Sequence, residues 1–209
     1  MRPPRTLKTI EVFASIQGEG LRQGEPEIFI RLAGCNLRCR FCDTKRSWRA
    51  GRERTIDDVV GEVERLRRHL PARWVCLTGG EPLAQDIGPL VRRLKKAGFL
   101  VHVETNGTYP PASGVDWHAL SPKPPGYAFH PGFLKKADEV KLIVCRGLTL
   151  DDVRTVRMTF PRSVPVFLQP ESNKAWSMAK AVDLLERAVR SGLDGIRVSV
   201  QLHKIYGIR

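Results

Sequence analysis

The sequence predicts an α/β protein built as a partial, open (β/α) barrel of about six parallel strands with reduced helices. Three observations lead there. Six short runs rich in Val and Ile recur along the chain. Amphipathic helical patterns separate most of them, and that alternation marks right-handed βαβ units. The runs are close to continuously apolar, which indicates burial on both faces, as parallel sheets require. Six strands are too few to close an eight-stranded barrel.

The elements follow in order. Residues 11–20, EVFASIQGEG, read as a strand ending in a glycine-rich polar turn. The parallel strands are then EIFIRLA (27–33), RWVCLTG (73–79), LVHVET (100–105), EVKLIV (139–144), VPVFLQ (164–169) and GIRVSV (195–200). Thr55 is an N-cap with Asp58 at the third helical position, and Ile56, Val59, Val60, Val63, Leu66 and Leu70 keep helical spacing until Pro71. A second helix covers 86–97 and stops at Gly98; a third covers 150–158 after an N-cap at Thr149; a fourth covers 174–191 with Gly192 at its C-terminus. Residues 110–131 hold six prolines and little periodicity, the profile of a functional loop, although DWHALS (116–121) has the character of a further strand.

With 209 residues and 42% hydrophobic content, the chain is expected to form one domain, residues 1–209, with an ordinary core. No stretch reaches 18 apolar residues and the N-terminus lacks a signal-peptide core, so a cytoplasmic protein without membrane partners is expected. The charge is 35 − 22 = +13. It is densest over 31–54, where eight Lys and Arg face only Asp43 and Glu53, yet no pure basic block exceeds three residues. A nucleic-acid partner is therefore weakly supported.

The cysteines are Cys35, Cys39, Cys42, Cys76 and Cys145. An odd, clustered set reads as metal binding or catalysis and not as a disulfide framework. Cys76 and Cys145 sit alone in apolar runs and read as core residues. Cys35, Cys39 and Cys42 fall within eight residues, one thiolate short of a closed tetrahedral site. A structural zinc site would need an unusual fourth ligand such as Asp43. An iron–sulfur cluster fits the spacing better, because one short loop wraps three corners and leaves one iron open.

The spacing C-x3-C-x2-C, followed by Gly79-Gly80-Glu81-Pro82 at a strand end, resembles the radical S-adenosylmethionine (SAM) enzymes. In that class the open iron chelates the cofactor. The turn at 11–20 leading into EIFIRLAGCNLRC narrows the resemblance. With CDTKRSW (42–48), TGGEPL (78–83), VETNGT (103–108), SPK (121–123), EVKLIV and LQP (168–170), the chain is similar to the 7-carboxy-7-deazaguanine synthase family over nearly its whole length. This resemblance implies a radical ring contraction of 6-carboxy-5,6,7,8-tetrahydropterin to 7-carboxy-7-deazaguanine with loss of ammonia, on the route to queuosine and other deazapurines. It implies a [4Fe-4S] cluster on Cys35, Cys39 and Cys42, SAM, and Mg²⁺ on Thr44. It assigns Ile16, Gln17, Gly18, Arg31, Thr78 and the C-terminal Arg209 to the substrate. It assigns Phe41, Cys42, Asp43, Gly80, Glu104, Ser121, Pro122, Lys123, Gln169, Pro170, Glu171 and Ser172 to SAM, with Asn106 and His203 as further candidates. A homodimer and an acidic electron donor such as flavodoxin are implied as partners, the basic face at 31–54 steering the donor. Two alternatives stay open: a glycyl-radical-enzyme activase, which shares the cluster motif and GGEP, and a zinc-stabilised basic nucleic-acid-binding module.

Overall fold

The computed structural model describes residues 5–49 and 51–208. Its framework is one nine-stranded sheet in the order β3-β1-β2-β4-β5-β6-β7-β8-β9. The strands are β1 (Thr6–Ile16), β2 (Pro26–Leu32), β3 (Arg52–Thr55), β4 (Trp74–Gly79), β5 (Leu100–Thr105), β6 (Trp117–Leu120), β7 (Glu139–Val144), β8 (Val166–Pro170) and β9 (Ile196–Val198). From β2 through β9, leaving out β3, every neighbouring pair is parallel. β1 runs antiparallel to both β2 and β3.

The expected partial barrel is present, with more strands than the apolar runs announce. WHAL at 117–120 joins the sheet although it carries a Trp and a His. RERT at 52–55 forms β3, whose four ladder partners are the first residues of β1. A charged edge strand of this kind deters further pairing and has no apolar signature.

Helices α1 (Ile56–Arg67), α2 (Gly88–Lys96), α3 (Leu150–Thr159) and α4 (Ala175–Arg190) start and stop within about three residues of their sequence signals. Thr55 caps α1 by accepting from the Asp58 N–H, and Thr149 and Asp152 form a reciprocal capping box on α3. No such helix spans the β5–β6 or β6–β7 crossover, where the proline-rich segment runs. A short fifth helix, α5 (Leu202–Tyr206), follows β9. None of these helices is long and apolar enough to cross a membrane.

The central strands β2, β4, β5, β7 and β8 have two faces of opposite character. Ile28, Ile30, Leu32, Val75, Leu77, Val101 and Val103 pack outward under Val59, Val63, Leu90 and Leu94 of α1 and α2. Val140, Leu142, Val144, Val166 and Leu168 do the same under Val153, Val156, Ala181 and Leu184 of α3 and α4. At about 25 cal/mol per Å² of apolar area, these two layers hold the barrel open around its concave face. That inner face has only a small apolar cluster, Phe13, Phe29 and Cys76. Most of the other inward positions toward the C-terminal strand ends are polar and form the site, with Ile143 of β7 as an apolar exception.

Candidate active site

Alternate strand residues turn inward, so β2 offers Arg31, β4 Thr78, β5 Glu104, β7 Lys141 and β8 Gln169. They converge on a cavity of about 230 Å³ at the C-terminal strand ends. Loops after β2, β4, β6 and β8 complete the wall, and the turn after β1 closes one side.

The three clustered cysteines all border this cavity and are free and partly buried. Burial pushes the Cys35 and Cys39 thiols up. Their loop is fixed by its neighbours. Gly34 N–H donates to Ser47 O at 2.8 Å, and Glu81 N–H donates to Gly34 O at 2.8 Å. Gly80 is needed here, because a Cβ would overlap the Gly34 carbonyl oxygen and come 3.1 Å from Cys35 N. Gly79 takes φ +122°, a conformation reserved for glycine. The Asn36 amide is held between Asn106 Nδ2 (3.0 Å) and Thr108 Oγ1 (2.8 Å).

Glu81 of the GGEP turn works beneath the cavity. It is fully buried and accepts from Thr105 Oγ1 (2.7 Å), Asn106 N–H (2.7 Å) and Leu83 N–H (3.0 Å). Burial raises its carboxyl above the usual range, and it binds the ends of β4 and β5 together.

Lys141 carries the densest electrostatics. Its side chain is 4% exposed, and Nζ lies 2.8 Å from Glu19 Oε2 and 2.9 Å from Glu104 Oε1. Burial alone would raise Glu104, but the Lys141 charge wins and brings it down to about 2, with Thr78 Oγ1 donating at 2.9 Å. Burial alone would lower Lys141, yet the two carboxylates hold it well above the usual lysine range. Burial and the neighbouring Lys141 together depress Lys123.

Of the sequence-assigned residues, Ile16, Gln17, Gly18, Arg31, Thr78, Phe41, Cys42, Asp43, Thr44, Gly80, Glu104, Asn106, Ser121, Lys123, Gln169, Pro170, Glu171, Ser172 and His203 border the cavity. Pro122 does not, and Arg209 lies outside the described residues. The polar groups of Gln17 are engaged within the protein. Its amide donates to Glu27 (3.2 Å) and accepts from Glu19 N–H (3.0 Å), while its N–H and C=O pair with Glu25 and Gly24. Arg31 Nε donates to Glu11 at 2.9 Å, with its guanidinium 5.5 Å from the Phe13 ring. Thr44 Oγ1 donates to Asp43 Oδ1 at 3.0 Å.

Four polar cavity residues carry no site assignment from the sequence: Glu19, Thr105, Lys141 and Gln201. A lysine at an inward position of an apolar strand was the available signal for Lys141. Gln201 precedes a helix of five residues and gave no signal.

The residues present fit a cluster and a nucleoside cofactor. Three soft thiol donors share one loop, and among the described residues the cavity offers no fourth cysteine. Gln169 Oε1 is a buried acceptor without a partner, suited to an amino group on a ligand.

Comparison with known proteins agrees with this geometry. Residues 29–117 match the family model described as the radical SAM superfamily. The 7-carboxy-7-deazaguanine synthase of Bacteroides thetaiotaomicron is 39% identical over 202 residues, covering 97% of this chain and 98% of that protein. That of Methanospirillum hungatei is 35% identical over 222 residues, covering 97% and 86%. The crystal structure of QueE from Escherichia coli superposes with a TM-score of 0.77 at 29% identity, over 95% of both chains. Streptococcus suis SuiB, at a TM-score of 0.59 and 15% identity, shares the fold.

Proposed function

The chain belongs to the 7-carboxy-7-deazaguanine synthase family and is a radical SAM enzyme, and we propose that its single domain (residues 1–209) performs the ring contraction of 6-carboxy-5,6,7,8-tetrahydropterin to 7-carboxy-7-deazaguanine. The observation that carries this reading is convergence. The cysteine loop, Arg31, Thr44, Thr78 and the 16–19 turn border one cavity, although they are far apart in the sequence.

Cys35, Cys39 and Cys42 would hold the cluster, which with SAM supplies the one-electron chemistry that starts the reaction. The protein's own work is binding, orientation and charge. Phe41, Cys42, Asp43 and Gly80 form the SAM side near the cluster loop. Glu104, Ser121, Pro122, Lys123 and Gln169 through Ser172 form the rest, Pro122 acting by holding the bend between two lining residues. Arg31 is suited to the substrate carboxylate through its fork of donors. Thr44 offers one hydroxyl to Mg²⁺, too little to hold the ion without substrate or water. Ile16, Gln17 and Gly18 serve as the wall against the pterin, Gln17 keeping that wall in register through Glu27. Arg209 is assigned to the substrate by family resemblance.

Lys141 and Glu104 act as fixed charges. Each stabilises the other's ionised form, so neither exchanges a proton near neutral pH. The solvent-exposed Arg38, Arg40, Lys45, Arg46 and Arg49 suit an acidic electron donor such as flavodoxin. A homodimer in the cytoplasm completes the assignment.

The test is anaerobic reconstitution with iron and sulfide, then incubation with reductant, SAM and the carboxytetrahydropterin. A deazapurine forms without stoichiometric consumption of SAM. Release of 5′-deoxyadenosine with no new heterocycle overturns the substrate assignment, and zinc in place of iron overturns the cofactor assignment as well.

A further inference from the structure

We propose that Gln201 is the positioning residue that sets the Asp43–Thr44 step of the cluster loop against the substrate wall. This rests on the reading of Thr44 as part of the substrate-holding side. Gln201 is 3% exposed, and its Nε2 donates at 2.8 Å to both Glu19 Oε1 and Asp43 Oδ2. Glu19 passes the contact to Lys141, and Asp43 passes it to the Thr44 hydroxyl at 3.0 Å. One unbroken chain of side chains, Lys141–Glu19–Gln201–Asp43–Thr44, therefore runs from the barrel floor to the cluster loop.

The residue type follows from the chemistry. Two carboxylates brought to one point repel, and a primary amide offers two diverging donors without adding charge. A glutamate of the same shape would add a third anion and donate nothing when ionised. Lys204 Nζ supports the outer side, 3.1 Å from Asp43 Oδ2 and 2.9 Å from Ser172 Oγ.

The main chain of Gln201 reaches a third wall. Asn173 Nδ2 donates to Gln201 O at 2.8 Å, and Gln201 N–H donates to Asn173 Oδ1 at 2.9 Å. Ser172 and Asn173 hold φ of 52° and 53°, left-handed values that strain a non-glycine backbone and need outside support. The five-residue α5 is too short to be stable alone, so this region keeps its shape through such tethers, including Leu202 N–H to Gly18 O at 2.9 Å.

The test compares Gln201→Glu and Gln201→Met with the wild type, each reconstituted to equal iron content. Both variants should lower kcat/KM for the pterin by about 10- to 100-fold, the scale of a misplaced binding group. The KM for SAM should change less, and more SAM should be cleaved per product formed. Independently of activity, amide hydrogen exchange over residues 42–45 should speed up at least 10-fold in the unloaded variants while α1 and α4 keep wild-type protection. Wild-type kcat/KM in Gln201→Glu, or unchanged exchange over 42–45, overturns the proposal. Equal loosening of α1 and α4 also overturns it, since Gln201 would then be only a stability residue. Should wild type make no deazapurine, the functional reading fails, and the exchange measurement still decides the role of Gln201.

Discussion

Replacing Glu104 with Gln tests the reasoning about the barrel floor most directly. The Glu104 carboxyl falls from 4.5 to about 2 on folding, chiefly because Lys141 outweighs the opposing effect of burial. At about 1.4 kcal/mol per pH unit, that shift corresponds to roughly 3 kcal/mol of folding stability. A depressed carboxyl contributes fully above the unfolded value of 4.5, and the contribution drains away as pH falls toward about 2. Linkage gives a loss of about 2 kcal/mol by pH 3, leaving little more than about 1 kcal/mol. Glu104→Gln should therefore cost up to about 3 kcal/mol at pH 7 and much less at pH 3. In urea, with a slope of about 2 kcal/mol per M for a chain of this size, the midpoint at pH 7 should fall by about 1.5 M. Lys141 keeps Glu19 as a partner in the variant, so the protein stays folded. Urea unfolding of cluster-free protein between pH 7 and pH 3 reads the effect. A gap between the two proteins that is the same at both pH values would refute the reasoning, because the pair would then owe its strength to packing and not to ionisation.

Three further outcomes are expected. Gly80→Ala forces a methyl group into the Gly34 carbonyl, so iron retained after reconstitution should fall several-fold while far-UV circular dichroism is unchanged; full iron content would show that the loop yields freely. Thr44→Val should remove any Mg²⁺ stimulation and lower kcat/KM about 10-fold with iron intact, measured in turnover assays with and without the ion. Burial, with help from Lys136, lowers His118 from 6.5 to about 4, so the neutral ring is favoured in the fold. Its share of stability, roughly 3 kcal/mol at most, is present above 6.5 and lost as pH falls toward 4; His118→Gln should flatten that part of the pH–stability curve.

The legible and the hidden parts of this molecule differ for a physical reason. The outward faces of the strands bury Val, Ile and Leu under amphipathic helices, so both partners carry a periodic signal. The cysteine loop was equally legible, because cluster ligation demands one residue type at fixed short spacing. β3 was not, because an edge strand with charged side chains is specified by its ladder to β1 and by nothing in its own pattern. Glu104 and Lys141 sit between these cases. EVKLIV and LVHVET each read as continuously buried, yet within them Glu139, Lys141, His102 and Glu104 occupy alternate positions and all face inward. An ionisable residue costs several kcal/mol to bury alone, so at a period of two inside an otherwise apolar strand it marks a face lined by partners. Read that way, both strands announce a polar concave surface before any fold is known. Gln201 shows where such reading stops: its neighbours Glu19, Asp43 and Asn173 come from three distant segments, and only closure of the chain brings them to one amide.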